Sequence, residues 1–164
     1  MFSKRVFELM NKQIKYELDS AYLYLSMAAY FESENLAGFA HWMRLQAGEE
    51  QAHAMKFFDF IFERGESVAL LGIDQPPTNF ESVRAVFKQT LEHEKKVTGL
   101  IEAIYAAAAE DRDYASQTFL NWFIDEQVEE EKNAVDILEA LRIGGESGPA
   151  LLMLDRQLGK RGGE

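Results

Sequence analysis

The chain has 164 residues, enough for one domain with a sizeable core, and its 28 acidic residues outnumber 17 basic ones for a net charge of −11. That balance disfavours nucleic acid and anionic membranes as partners and favours attraction of cations. Cysteine is absent, which excludes disulfide frameworks, thiolate metal sites and iron–sulfur clusters and leaves oxygen and imidazole as the protein ligands for any metal.

The N-terminal stretch carries basic residues but no uninterrupted apolar run, and no later segment has transmembrane length, so a soluble cytoplasmic protein is expected. Helix A is predicted from about Ser3 to Ser33, with Val6, Met10, Gln13, Glu17, Ser20, Tyr24, Met27 and Phe31 on one face. A tight connection at Glu34, Asn35 and Leu36 leads into helix B, Ala37 to Arg64, capped by Gly65. Its face reads Phe39, Met43, Gln46, Glu50, His53, Phe57 and Phe60. So short a connection makes A and B antiparallel neighbours.

The segment from Gly65 to Phe80 holds Gly72, Pro76 and Pro77 and no sustained helical period. Extended, it reaches about 50 Å, while a helix the length of B is about 42 Å long, so the loop can cross the whole bundle and leave B and C parallel. Thr78 and Glu81 have capping-box spacing for helix C, which runs to about Ala109 with Val83, Phe87, Thr90, Glu94, Val97, Ile101 and Ile104 on one face. After Glu110 to Arg112, Asp113 is placed to cap helix D, whose face is Leu120, Phe123, Gln127, Glu130, Ala134, Ile137 and Leu141, and Gly144 and Gly145 stop it. Ser147 then caps a short fifth helix, about 147–159, with Pro149 in its first turn and Leu151, Leu152, Leu154 and Leu158 along it. Such a helix needs a partner surface, either its own bundle or a neighbouring subunit. The expected fold is all-α: a single domain over 1–164, with a four-helix bundle over about 3–143, one long crossover and a short C-terminal helix.

Each apolar face is interrupted near its middle by groups able to hold metal. Side by side, the helices bring Glu17, Glu50, His53, Glu94 and Glu130 into one layer, with Gln127 beside them. Leaving those carboxylates buried and unpaired would cost several kcal/mol per ion, and no Lys or Arg shares the faces. Glu50 and His53 form Glu-x-x-His at i, i+3 and project together. Taken alone that pair is a weak signal, but joined with Glu17, Glu94 and Glu130 it supplies the bridging and terminal ligands of a dinuclear site. A polar network without metal is the competing reading.

The run Asp125 to Glu131 is a solvated acidic face for Asp125 and Glu131. Glu126 and Glu129 lie beside the Gln127 and Glu130 face and can meet Glu49, which offers a weaker third cation site at the layer's edge. Tyr24, about two turns beyond Glu17, either fills core and donates its hydroxyl to a ligand carboxylate or takes part in redox chemistry. Trp122 reads as packing, His41 and His93 as structural or surface residues, and Met10, Met27 and Met43 as core. Carboxylates with one imidazole suit iron or manganese better than copper or structural zinc. Two adjacent Fe(II) ions can deliver two electrons together to dioxygen or hydrogen peroxide.

With Glu17, Glu50-x-x-His53, Glu94, Gln127-x-x-Glu130, the acids Glu49, Glu126 and Glu129, the long loop and the fifth helix, the whole chain resembles the bacterial non-haem ferritins. The resemblance implies a ferroxidase centre in which Glu17, Glu50 and His53 hold one iron while Glu50, Glu94 and Glu130 hold the second. It implies Gln127 as a supporting or weak ligand, a third iron on Glu49, Glu126, Glu129 and Glu130, and Tyr24 beside the centre. It also implies a homo-oligomeric shell of 24 subunits storing hydrated ferric oxide. Bacterioferritins repeat Glu-x-x-His on the fourth helix and place methionine after the bridging glutamate. Here Gln127 and Glu130 stand in place of that pair and Gln51 in place of the methionine, so a loosely held second iron and no haem are expected. A di-iron carboxylate oxidase without mineral storage is the alternative, and a cation-buffering shell without turnover is a third reading.

Overall fold

Five α-helices build the protein: α1 (Lys4–Ser33), α2 (Ala37–Glu63), α3 (Val83–Glu110), α4 (Tyr114–Gly144) and α5 (Gly148–Leu158), with no strand among residues 2–163, which the computed structural model describes. Every residue of the predicted faces of α1, α3 and α4 is buried. On α2 the match ends at Phe57. Phe60 is only half-buried and stacks on Phe119 with ring centroids 4.0 Å apart, while Ile61 takes the core position. A face written at 3.5-residue spacing drifts by about 20° per heptad on a straight helix, and the drift accumulates toward the end of α2.

The apolar core falls into two clusters. One holds Tyr24, Met27, Phe31, Phe39, Met43, Phe87 and Leu141, and the other holds Val6, Met10, Phe57, Ile101, Leu120 and Phe123. A polar layer separates them. α1 packs on α2 and α3 on α4, joined by a seam between α1 and α3.

Local chemistry sets the helix ends. Gly65 adopts φ +83, a left-handed conformation that costs other residues a Cβ clash, and lets Glu66 N–H donate back to the Ile61 carbonyl at 3.1 Å. Asp113 caps α4 by accepting from Ser116 N–H at 3.2 Å, and it also accepts from Arg64 at 3.0 Å and Ser3 N–H at 3.4 Å. One buried carboxylate thus ties the start of α1, the end of α2 and the start of α4. The long connection follows α1 in the same direction: Asn11 exchanges two 2.9 Å bonds with the Ala69 backbone, Asp74 N–H donates to Asp19 at 2.7 Å, and Ser26 donates to the Pro77 carbonyl.

That strap moves the start of α3. Thr78 and Glu81 do not cap it. Pro77 is held on Ser26 and the Phe80 ring lies 5.5 Å from Tyr30, so the chain stays non-helical to Ser82, whose hydroxyl accepts from Ala85 N–H at 3.0 Å. Ser147 sits at the N-cap of α5, but its side chain makes no capping bond. Pro149 in the first turn needs no partner for its nitrogen, and the turn before α5 is held from outside, by Arg84 donating to Glu146 at 2.9 Å and to the Leu141 carbonyl at 3.3 Å. α5 lies on its own bundle, against α2 and α4. Leu158 is buried, and Leu151 and Leu154 join the first core cluster, whereas Leu152 and Met153 are exposed. The contact is tight enough that a Cβ on Gly38 would fall 1.7 Å from the Asp155 carbonyl oxygen.

Candidate metal centre

All four long helices contribute to the layer: Glu17 and Tyr24 from α1, Glu50 and His53 from α2, Glu94 from α3, Gln127 and Glu130 from α4. None of these side chains belongs to a residue more than 4% exposed. Glu17, Glu50 and His53 bring one ligand atom each to within 4.8 Å of one another, and this is the one such group of three among the described residues. His53 Nδ1 lies 3.4 Å from Glu50, and the ring is held edge-on by Trp122 at 5.2 Å and Phe123 at 6.0 Å.

Glu94 and Glu130 complete the layer under different restraints. Glu94 accepts from the Tyr24 hydroxyl on one oxygen and from Gln127 Nε2 at 3.1 Å on the other. The same Gln127 nitrogen reaches the Glu94 carbonyl at 3.2 Å. Gln127 therefore points its donor at the Glu94 carboxylate, and Tyr24 is fully buried with its hydroxyl donating to the same group. Glu130 accepts from Gln46 at 2.8 Å, and Glu17 from Gln13 at 2.9 Å. The supporting roles of Gln13 and Gln46 were missed in the sequence, although both occupy predicted core positions one turn before the carboxylate they hold or adjoin. A glutamine on a core face four residues before a glutamate was the available signal.

The electrostatics are unbalanced. Among the described residues no Lys or Arg is buried, and Glu17 Oε2 has no hydrogen-bond partner. Burial, with Glu50 adding repulsion, pushes the Glu17 carboxyl well above the usual range. Burial and Glu94 do the same to Glu50. Burial raises Glu94 as well, against the bonds from Tyr24 and Gln127. Burial, joined by the Glu94 charge, brings Glu130 up to about 7, and burial with Glu94 lifts the Tyr24 phenol well above its ordinary range. A divalent cation would relieve all of these at once by displacing protons with positive charge. The donors are carboxylate oxygen and imidazole nitrogen, which suits iron. The geometry fits a metal.

The acids at the edge are less closely gathered. Glu126 is half-buried, with an oxygen 3.9 Å from His53 Nε2, and burial raises its carboxyl. Glu129 is exposed, and Glu49 is occupied by Arg161 at 2.7 Å. Asp125 is exposed, whereas Glu131 is half-buried and accepts from Thr98 at 2.7 Å. His93 bonds Ser20 at 2.7 Å with its ring edge-on to Tyr24, and burial, with Lys96 nearby, lowers it to about 4. His41 holds the Arg161 carbonyl at 2.8 Å.

Residues 7–143 match the family model for a ferritin-like domain. A bacterial non-heme ferritin of Bacteroides fragilis (strain 638R) is 41% identical over 161 residues, covering 98% of this chain and 100% of the relative. One from Staphylococcus aureus (strain USA300) is 37% identical, covering 98% and 97%. Among solved structures, the open pore ferritin from the hyperthermophilic archaeon Archaeoglobus fulgidus superimposes with a TM-score of 0.96 at 48% identity, over 98% of this chain and 99% of that one. A closed form of the A. fulgidus ferritin engineered by site-directed mutagenesis has the same score and identity, over 98% of each chain.

Proposed function

We propose a ferroxidase centre for this chain, which belongs to the ferritin family and is an iron-storage protein. Glu17, Glu50 and His53 hold one Fe(II), and Glu50, Glu94 and Glu130 hold the second, with Glu50 between them. The observation that carries this reading is a layer of five ionisable side chains, each at most 4% exposed, with an unpartnered Glu17 oxygen and no buried Lys or Arg among the described residues.

The chemistry follows from the pairing. Each of two Fe(II) ions gives up one electron, so dioxygen takes two electrons and two protons to become hydrogen peroxide, or hydrogen peroxide becomes two waters. Carboxylates stabilise the higher charge of Fe(III) electrostatically, which lowers the cost of oxidation. Burial and the Glu94 charge bring Glu130 up to about 7, so it can give up its proton to a metal near neutral pH. With Gln127 and Glu130 where a Glu-x-x-His pair would make the fourth helix a stronger ligand, a neutral amide replaces the carboxylate and a carboxylate replaces the imidazole, and the second iron is loosely held. Such an ion can move on and hydrolyse to ferric oxide.

Around this centre we place a third, weaker iron site on Glu49, Glu126, Glu129 and Glu130, no haem, and a single domain spanning 1–164. Assembly into a 24-subunit cytoplasmic shell belongs to the same reading. It is supported by exposed apolar side chains, Tyr22, Leu25, Leu70, Leu71 and Ile73, on α1 and the strap, and no described helix is long and apolar enough to cross a membrane. Bulky Tyr24, Phe57, Phe87 and Phe123 are all buried in the clusters on either side of the layer, which favours small oxidants over an organic substrate. Stopped-flow oxidation of Fe(II) by the assembled protein tests the proposal, with Glu17→Ala and His53→Ala beside the parent. Both variants should lose the fast phase, and equal rates in all three would overturn the assignment.

A further inference from the structure

The carboxylate offered as a third ligand already carries a cation. Arg161 lies past the end of α5, and its Nη2 donates to Glu49 Oε2 at 2.7 Å. Its guanidinium covers the face of Trp42 at 4.8 Å, and its backbone carbonyl is held by His41 Nε2 at 2.8 Å. The other terminal nitrogen, Nη1, is buried without a hydrogen-bond partner. The side chain keeps 25% of its exposure and Glu49 45%, so the pair sits at the rim of the layer, beside the groove between α2 and α4 lined by Trp42, Glu129, Asn133, Ile137 and Arg161.

We propose that Arg161 is a latch on the outer cation site: its guanidinium occupies Glu49, and a metal ion binds there only when the arginine side chain lets go. This rests on the reading of Glu49, Glu126 and Glu129 as a cation site. Two features suit Arg161 to that part. A planar guanidinium can neutralise a carboxylate as a metal would, yet it forms no coordinate bond and leaves one nitrogen unsatisfied, so the closed state is not over-stabilised. The tail backbone is anchored by its carbonyl to His41 on α2, so the arginine side chain can swing off Glu49 and off the Trp42 face while the backbone stays put. The charge on Glu49 also acts on Glu50, Glu126 and Glu130. Whether arginine or metal sits on Glu49 is therefore felt at the paired site.

Calorimetric titration of the metal-free, assembled protein with Zn(II) tests the latch. The parent should show a tight class of sites and a weaker class. In Arg161→Gln the weaker class should tighten by on the order of tenfold, the release of one charge-assisted bond, with the tight class retained. Arg161→Lys should tighten it less, since it keeps the charge and loses the fork. Adding Glu49→Gln to Arg161→Gln should abolish the gain, which ties the effect to that carboxylate. An unchanged weaker class in Arg161→Gln beside an intact tight class, or a gain that survives Glu49→Gln, overturns the latch alone. Absence of the tight class in the parent overturns the ferroxidase reading and the latch with it.

Discussion

Replacing Glu130 by glutamine should strengthen the metal-free protein and weaken the metal-bound one. The carboxyl is brought from an ordinary value of 4.5 to about 7, first by burial and then by Glu94. A raised acid binds its proton more tightly in the folded than in the unfolded state, so its penalty is absent below about pH 4.5, grows as pH rises and is complete above about 7. At ~1.4 kcal/mol per pH unit the difference amounts to roughly 3 kcal/mol per chain at pH 8. Glutamine is a neutral isostere of the protonated acid. Its carbonyl can accept from Gln46 Nε2 as the acid does at 2.8 Å. Urea denaturation of metal-free parent and Glu130→Gln should therefore coincide at pH 5 and separate toward pH 8, the variant being the more stable. Zn(II) or Fe(II) should reverse the order, because the variant has lost a ligand. Superimposed curves at pH 8, or a variant weaker at pH 5, would refute the burial argument.

Other expectations follow from particular contacts. Gly38→Ala should dislodge α5, since the added Cβ would meet the Asp155 carbonyl at 1.7 Å. Hydrogen exchange along residues 148–158 should rise toward that of an undocked segment, at a cost of about 3 kcal/mol or more, and unchanged protection would show the close approach to be soft. Asp113→Ala removes an α4 cap that also receives Arg64, at an expected cost of about 2–4 kcal/mol read as a lower urea midpoint. Acid should act in the same direction on this site. Burial opposes its charge, but the bonds from Arg64, Ser116 and Ser3 outweigh that and hold the carboxyl below 3.8, so its contribution is present above about pH 4 and fades as pH falls through the lower folded value. Tyr24→Phe removes the hydroxyl that donates to Glu94 and should alter Fe(II) oxidation modestly, by less than about tenfold, if the ring's role is packing and ligand support. A larger loss in stopped-flow traces would point to redox participation.

How much of this the sequence discloses depends on the range of the interaction. Helix faces are legible because apolar period and burial are one physical fact, and the positions of Glu17, Glu50, His53, Glu94 and Glu130 in the layer follow from counting turns. The start of α3 was not legible, because Ser82 wins over Thr78 only through a strap laid on α1 by Ser26 and Tyr30, far away in sequence. Phe60 failed for a geometrical reason, the drift of a fixed spacing along a long helix. Arg161 on Glu49 is invisible for a third reason. The tail's path depends on Gly38 letting α5 approach α2, and nothing local to residue 161 announces a carboxylate 112 positions away.

The two apolar clusters explain why so costly a layer can persist without metal. Each is packed around its own set of aromatic rings, Phe31, Phe39 and Phe87 on one side and Phe57, Phe119 and Phe123 on the other. Neither cluster needs the polar layer to hold its helices. The end ties through Asp113 and through Arg84 with Glu146 then fix the helices beyond each cluster, at opposite ends of the bundle. The carboxylates between are carried on helices fixed at both ends and are held by Gln13, Tyr24, Gln46 and Gln127, so on the proposed reading a cation does not have to organise the site on arrival. It has only to displace protons from groups whose burial already makes them reluctant to carry charge. If the layer is the metal centre proposed above, binding is coupled to pH through Glu130 and to neighbouring charge through Glu49, and a departing ion would leave behind a layer that reprotonates rather than collapses.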